Sequence, residues 1–83
     1  MSTKDKKRAR YEERKEFALT KYRQHITWAL VDLEWTKIDR RAGWRDFQLE
    51  SLARVAQHRE KALWWYARYK KYCGKIAQLE EVA

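Results

Sequence analysis

Proline is absent from this chain, glycine occurs twice, and there is one cysteine. Each scarcity excludes something. An all-β fold needs turn residues every few positions, and they are not here. The lone Cys73 rules out an internal disulfide and makes a reducing cytoplasm the expected compartment. No apolar run approaches the ~18 residues of a membrane span, and the opening MSTKDKKRAR lacks the apolar centre of a secretion signal. The chain therefore reads as soluble and cytoplasmic, without a membrane partner.

Catalytic chemistry is also thin. Beyond the N-terminal residues Ser51 is the only serine, and no base is evident beside it. There is no glycine-rich phosphate loop and no paired-carboxylate motif. His25 and His58 are the only histidines, too few to hold a metal alone, and Cys73 lies about 22 Å beyond His58 along the same helix. Cys73 reads as a small apolar seam residue. No enzyme, cofactor, metal site or small-molecule substrate is expected.

What is abundant is helix-forming and basic. Alanine, leucine, glutamate, lysine and arginine dominate. Twenty lysines and arginines against twelve acids give a net charge of +8, which attracts polyanions. Eighty-three residues make one domain at most, and a core this small is often completed by a second copy.

The clear break is RRAGWRDF at residues 40–47. Gly43 suits the left-handed position past a helix end, with Arg40 and Arg41 offsetting the helix dipole in the last turn. Trp44 is expected to fold back on Ile38, and Asp46 to cap the next helix. Helix 1 is predicted over residues 4–41, a turn over 42–45, and helix 2 over 46–82, with Gly74 as a candidate break. The short link makes the helices antiparallel, so that residues whose numbers sum to about 86 lie side by side. That register sets His25 nearly level with His58 and Glu16 near Lys70. The expected fold is an all-α hairpin of two long antiparallel helices as a single domain over residues 1–83, completing a four-helix bundle by dimerisation.

Hydrophobic periodicity suggests the faces. Leu19, Tyr22, Ile26, Ala29, Leu30 and Leu33 form one stripe on helix 1, the expected seam against Leu52, Val55, Ala56, Leu63, Tyr66 and Cys73 of helix 2. A second helix 1 stripe, Phe17, Trp28, Val31, Trp35 and Ile38, sits roughly 150–180° around from the first. A hairpin cannot bury both, so the second is read as an interface with another copy or a partner protein. On helix 2 a flanking row of Trp65, Tyr69, Tyr72, Ile76 and Leu79 widens the apolar arc, and Trp65 and Tyr69 join the expected interface. Arg59 interrupts the seam and is read as snorkelling from its edge.

The segment KALWWYARYKKYCGK, residues 61–75, carries a third pattern. Lys61, Trp64, Arg68, Lys71 and Lys75 recur at three and four residues, an acid-free stripe suited to phosphates, with Trp64 able to stack on a base. The basic residues Lys6, Lys7, Arg8 and Arg10 fall at the same end of an antiparallel hairpin. A helix-turn-helix reading of residues 52–69 fails because the turn QHRE has no glycine and the helical pattern runs through it. These patterns suggest a non-enzymatic, self-associating protein that binds DNA or RNA backbone. The alternative is an accessory or inhibitory protein, viral or bacterial, that docks on a larger protein through its tryptophan face.

Overall fold

The computed structural model describes residues 2–81 and contains two α-helices packed against each other, α1 (Thr3–Ala42) and α2 (Arg45–Glu81). The sequence-predicted end of helix 2 at Val82 lies outside the described residues. The hairpin is a thin rod of 61 × 17 × 12 Å. Its radius of gyration is 18.6 Å, against about 12 Å for a rounded domain of this length.

Local chemistry sets the ends. Ser2 is extended, and its side chain accepts a hydrogen bond from the Asp5 N–H at 3.2 Å, satisfying one orphan donor of α1. At the other end Gly43 takes φ 76°, the left-handed conformation that a Cβ disfavours. The Gly43 N–H donates to the Arg40 carbonyl and the Trp44 N–H to that of Asp39, the paired bonds of a Schellman turn. The fold-back of Trp44 onto Ile38 expected at this cap buries neither residue: both are about half exposed, and Trp44 forms a T-shaped pair with Phe47 at 6.1 Å. The Gln48 N–H bonds the Trp44 carbonyl, so α2 starts at Arg45, one residue before the predicted limit, and Asp46 lies inside its first turn instead of capping it. Helix α2 runs unbroken through Gly74.

The seam differs from the one hydrophobicity suggested. On α1 the inward row is Tyr11, Lys15, Ala18, Tyr22, His25, Ala29, Asp32, Thr36 and Asp39. On α2 it is Gln48, Ser51, Val55, His58, Ala62, Trp65, Tyr69, Tyr72, Ile76 and Leu79. Both rows alternate steps of three and four without a break, the 3.5-residue repeat of helices that wrap around each other. Leu19 is half-buried at the seam's edge, while Ile26, Leu30, Leu33, Leu52, Leu63 and Tyr66 are exposed. The row read as flanking on α2 is the seam itself.

Small residues and a polar network explain the rotation. Ala18, Ala29, Ala62 and Ser51 leave room for the helices to approach. Towards the turn, the buried Asp32 accepts from Arg54 Nε at 3.0 Å, and its second oxygen faces His58 Nε2 at 3.5 Å. Ser51 Oγ donates to Asp39 at 3.2 Å and accepts from Arg54 Nη2 at 3.1 Å. Thr36 turns its hydroxyl onto the Asp32 carbonyl. Burying the leucine stripes instead would tear these groups from one another, and buried polar groups without partners are costly. Among the described residues no buried side-chain polar atom lacks a partner. Towards the open end the seam turns aromatic: Tyr11 meets Tyr72 at 6.2 Å, and at the seam's edge Tyr22 meets the exposed Tyr66 at 5.3 Å.

The two glycines should respond oppositely to alanine. A Cβ at Gly74 meets nothing within 4 Å and the residue is ordinary helix, so Gly74→Ala should raise stability by about 1 kcal/mol. Gly43→Ala forces a Cβ into φ 76° and should lower stability by a similar amount. Urea unfolding of both variants checks the pair; a destabilised Gly74→Ala would contradict an unbroken α2.

Candidate nucleic-acid interface

Antiparallel helices turn the residue just before each seam position to the same broad side of the hairpin. On α1 this row is Lys7, Arg10, Arg14, Phe17, Lys21, Gln24, Trp28, Val31, Trp35 and Ile38; on α2 it is Phe47, Glu50, Arg54, Gln57, Lys61, Trp64, Arg68, Lys71, Lys75 and Gln78. Glu50 is the only acid in either row. The tryptophan stripe of α1 and the basic stripe of α2, read separately from the sequence, therefore share one face.

Near the open end this face is indented. Arg10, Glu13, Arg14, Phe17, Ala18, Trp64, Trp65, Arg68 and Tyr72 line a groove of about 630 Å³. Its walls carry three guanidinium groups and one carboxylate. Phe17 and Trp65 meet edge to face at 5.6 Å and bridge the helices at the groove. The Arg68 guanidinium stacks over Trp64 at 4.5 Å, and the Trp64 and Trp65 rings are perpendicular at 4.7 Å. The arginine is thereby held as a flat cation at the groove wall, with Trp64 still 53% exposed beside it. Lys21 lies over the Phe17 ring at 5.5 Å, further along the same row.

The sequence-predicted cations separate into groups. Lys61, Trp64, Arg68 and Lys71 share the face, and Arg10 joins them from α1. Lys75 keeps its place in the row but sets its ammonium over Tyr11 at 5.4 Å. Arg8 is held by Glu80 across the helices at 2.6 Å, so its charge is already partnered. Lys7 aligns with Arg10, whereas Lys6 falls outside the row. Arg14 is the groove residue that sequence reasoning missed. It stands among Glu12, Glu13 and Glu16, which hide it in a charge count; its four-residue step from Arg10 and three to Phe17 was the available signal.

The predicted protein-contact residues divide too. Phe17, Trp28, Val31, Trp35 and Ile38 are all about half exposed, whereas Trp65 and Tyr69 lie half-buried in the seam and present little free surface. Lys70 is over the Tyr66 ring at 5.4 Å, and no ion pair with Glu16 forms among the described residues.

Mid-hairpin, the Nδ1 atoms of His25 and His58 lie 3.2 Å apart, and the Trp28 indole sits against both rings. A hydrogen bond at that contact needs one ring nitrogen to be unprotonated. Burial, reinforced by the positive charges of His58, Lys61 and Lys21, holds His25 below the usual 6.5. No group of three or more metal-ligating side chains converges among the described residues, and no helix there is long and apolar enough to cross a membrane.

No protein-family model matches this chain, and neither does any curated protein or solved structure compared with it.

The histidine pair has a pH consequence. Folding makes His25 harder to protonate than in the unfolded chain, which takes up a proton near pH 6.5. The stability this confers is complete above that pH and is lost as pH falls below it. Melting temperature should drop between pH 7.5 and 5.5 and should drop less in His25→Gln; a wild-type profile flat across that window would contradict the assignment.

Proposed function

We propose that the protein is a self-associating, non-enzymatic helical protein that holds nucleic-acid backbone on its arginine–aromatic face. The observation that carries this reading is the groove in which Arg10 and Arg14 of α1 meet Arg68 and Trp64 of α2. Guanidinium groups suit phosphate oxygens because their planar donors engage two at once. Lys61 and Lys71 extend the charge along α2, and Lys7 and Lys21 along α1, so a flexible strand has cations to follow beyond the groove. An exposed indole offers a stacking surface to an unpaired base, which favours single strands over a closed duplex. Glu13 opposes phosphate at the rim, yet the face as a whole remains cationic.

A second reading attaches to the other end of the same face. Trp28, Val31, Trp35 and Ile38 continue the row away from the groove, about half exposed, without cations between them. Aromatic anchors of this kind dominate protein–protein contacts, so this end suits docking on a larger protein.

Anisotropy titration of a labelled single-stranded oligonucleotide tests the principal reading. Affinity should fall steeply with salt, log K dropping about 0.7 per tenfold rise in salt for each phosphate neutralised. Arg68→Ala should reduce that slope by about one contact. Trp64→Ala should weaken binding by about 1–3 kcal/mol while leaving the slope unchanged. Absence of binding to both DNA and RNA at low salt would overturn the nucleic-acid reading, and capture of a protein partner abolished by Trp35→Ala would favour the second.

A further inference from the structure

The residues just after each seam position form the opposite face, and its character is different. Its centre is aliphatic: Ile26, Leu30 and Leu33 of α1 stand beside Leu52, Ala56 and Leu63 of α2, all exposed. Leu63 is 61% exposed and Leu30 58%, while among the described residues the single hairpin buries only five apolar residues, three of them alanine. The chain exposes 6687 Å², whereas a rounded monomer of its mass exposes about 5300 Å². The excess is larger than the about 800 Å² per partner that a stable interface buries.

The charges on this face identify its occupant. Along α1 the row reads Glu12, Glu16, Leu19, Arg23, Ile26, Leu30, Leu33, Lys37, Arg40. Acids stand at one end and bases at the other, with aliphatic residues between them interrupted once, by Arg23. Folded back on itself about Ile26, the row matches itself at its ends: Glu12, which also pairs with Lys15 at 2.9 Å, falls opposite Arg40, Glu16 falls opposite Lys37, which also pairs with Glu34 at 3.0 Å, and Leu19 falls opposite Leu33, while Arg23 meets the aliphatic Leu30. A parallel copy would instead set like charge against like.

We propose that this aliphatic face binds a second copy of the chain, with the two α1 helices antiparallel across a twofold axis near Ile26, giving a four-helix bundle. The arrangement rests on the self-association proposed above and assigns it to the face opposite the tryptophan stripe. Every contact away from the axis occurs twice, as twofold symmetry requires. On α2, at the same level of the hairpin, Leu63 falls opposite the second copy's Ala56. Arg59, near the axis, leaves along its own stem. The reversed orientation also places the two N-terminal basic clusters at opposite ends of a rod 61 Å long, well beyond the about 8 Å over which salt screens charge repulsion at physiological strength. Both arginine–aromatic faces point outward, on opposite sides of the bundle.

Sedimentation of the full chain without nucleic acid should give twice the chain mass, and Leu30→Glu should give the chain mass while remaining helical by circular dichroism. In a Cys73→Ser background, Ile26→Cys should cross-link to a homodimer with a short bismaleimide and Trp35→Cys should not. Glu16→Lys should weaken the dimer about tenfold, and adding Lys37→Glu should restore it. A dimer that cross-links through Trp35→Cys and not Ile26→Cys overturns the proposed face while leaving self-association intact. A monomer at all concentrations overturns both, while nucleic-acid binding is decided separately by the oligonucleotide titration.

Discussion

A carboxylate placed between two helices must find positive or hydrogen-bonding partners, because an unpaired buried charge costs several kcal/mol. In this hairpin that carboxylate is Asp32, with Arg54 on one oxygen and His58 facing the other. Both partners come from α2, so the pairing fixes two quantities together. It sets how far the helices slide past each other, and it sets how each is rotated about its own axis. Asp39 with Ser51 and His25 with His58 satisfy the same register at neighbouring turns. Little of this stabilises strongly by itself, since the desolvation of Asp32 offsets much of its attraction to Arg54. Its effect is specificity: other rotations of the helices leave these groups buried without partners or pull them into water.

Once the rotation is set, the remaining surface follows from the sequence. The rows on either side of a polar, small-residue seam are turned outward, and here they are chemically unlike. One is aliphatic at its centre, with acids and bases at opposite ends of its α1 row. The other is aromatic and almost wholly cationic. The molecule is thus a two-sided plate whose narrow interior makes only a modest contribution of buried apolar area, and the larger apolar side chains lie where a further layer would reach them.

The helix limits were largely legible in the sequence because they depend on local signals. Gly43, the arginines before it and the serine near the N-terminus each act within a few residues, and the cap geometry follows from them. The register was legible too: Asp32 with Arg54 and Trp28 with His58 satisfy the expected pairing of positions. The rotation was not. Hydrophobic periodicity points to Leu30 and Leu33, while the seam is marked by Asp32, Thr36 and Ser51, which carry no apolar signal and make sense only as pairs across two helices. The same limitation concealed the groove. Trp64 and Arg68 were evident as neighbours on one helix, but Arg14 joins them only through packing.

Two helices lying side by side make the rod a single helix thick, 12 Å in its shortest dimension. No inner layer of side chains insulates one broad face from the other. Leu63 and Trp64 are consecutive residues of one helix that point about 100° apart, one towards each broad face. A few degrees of roll by α2 about its own axis would displace both together, and the Asp32–Arg54 clasp sets the resistance to that roll. Mechanically, the plate's two faces are a single part.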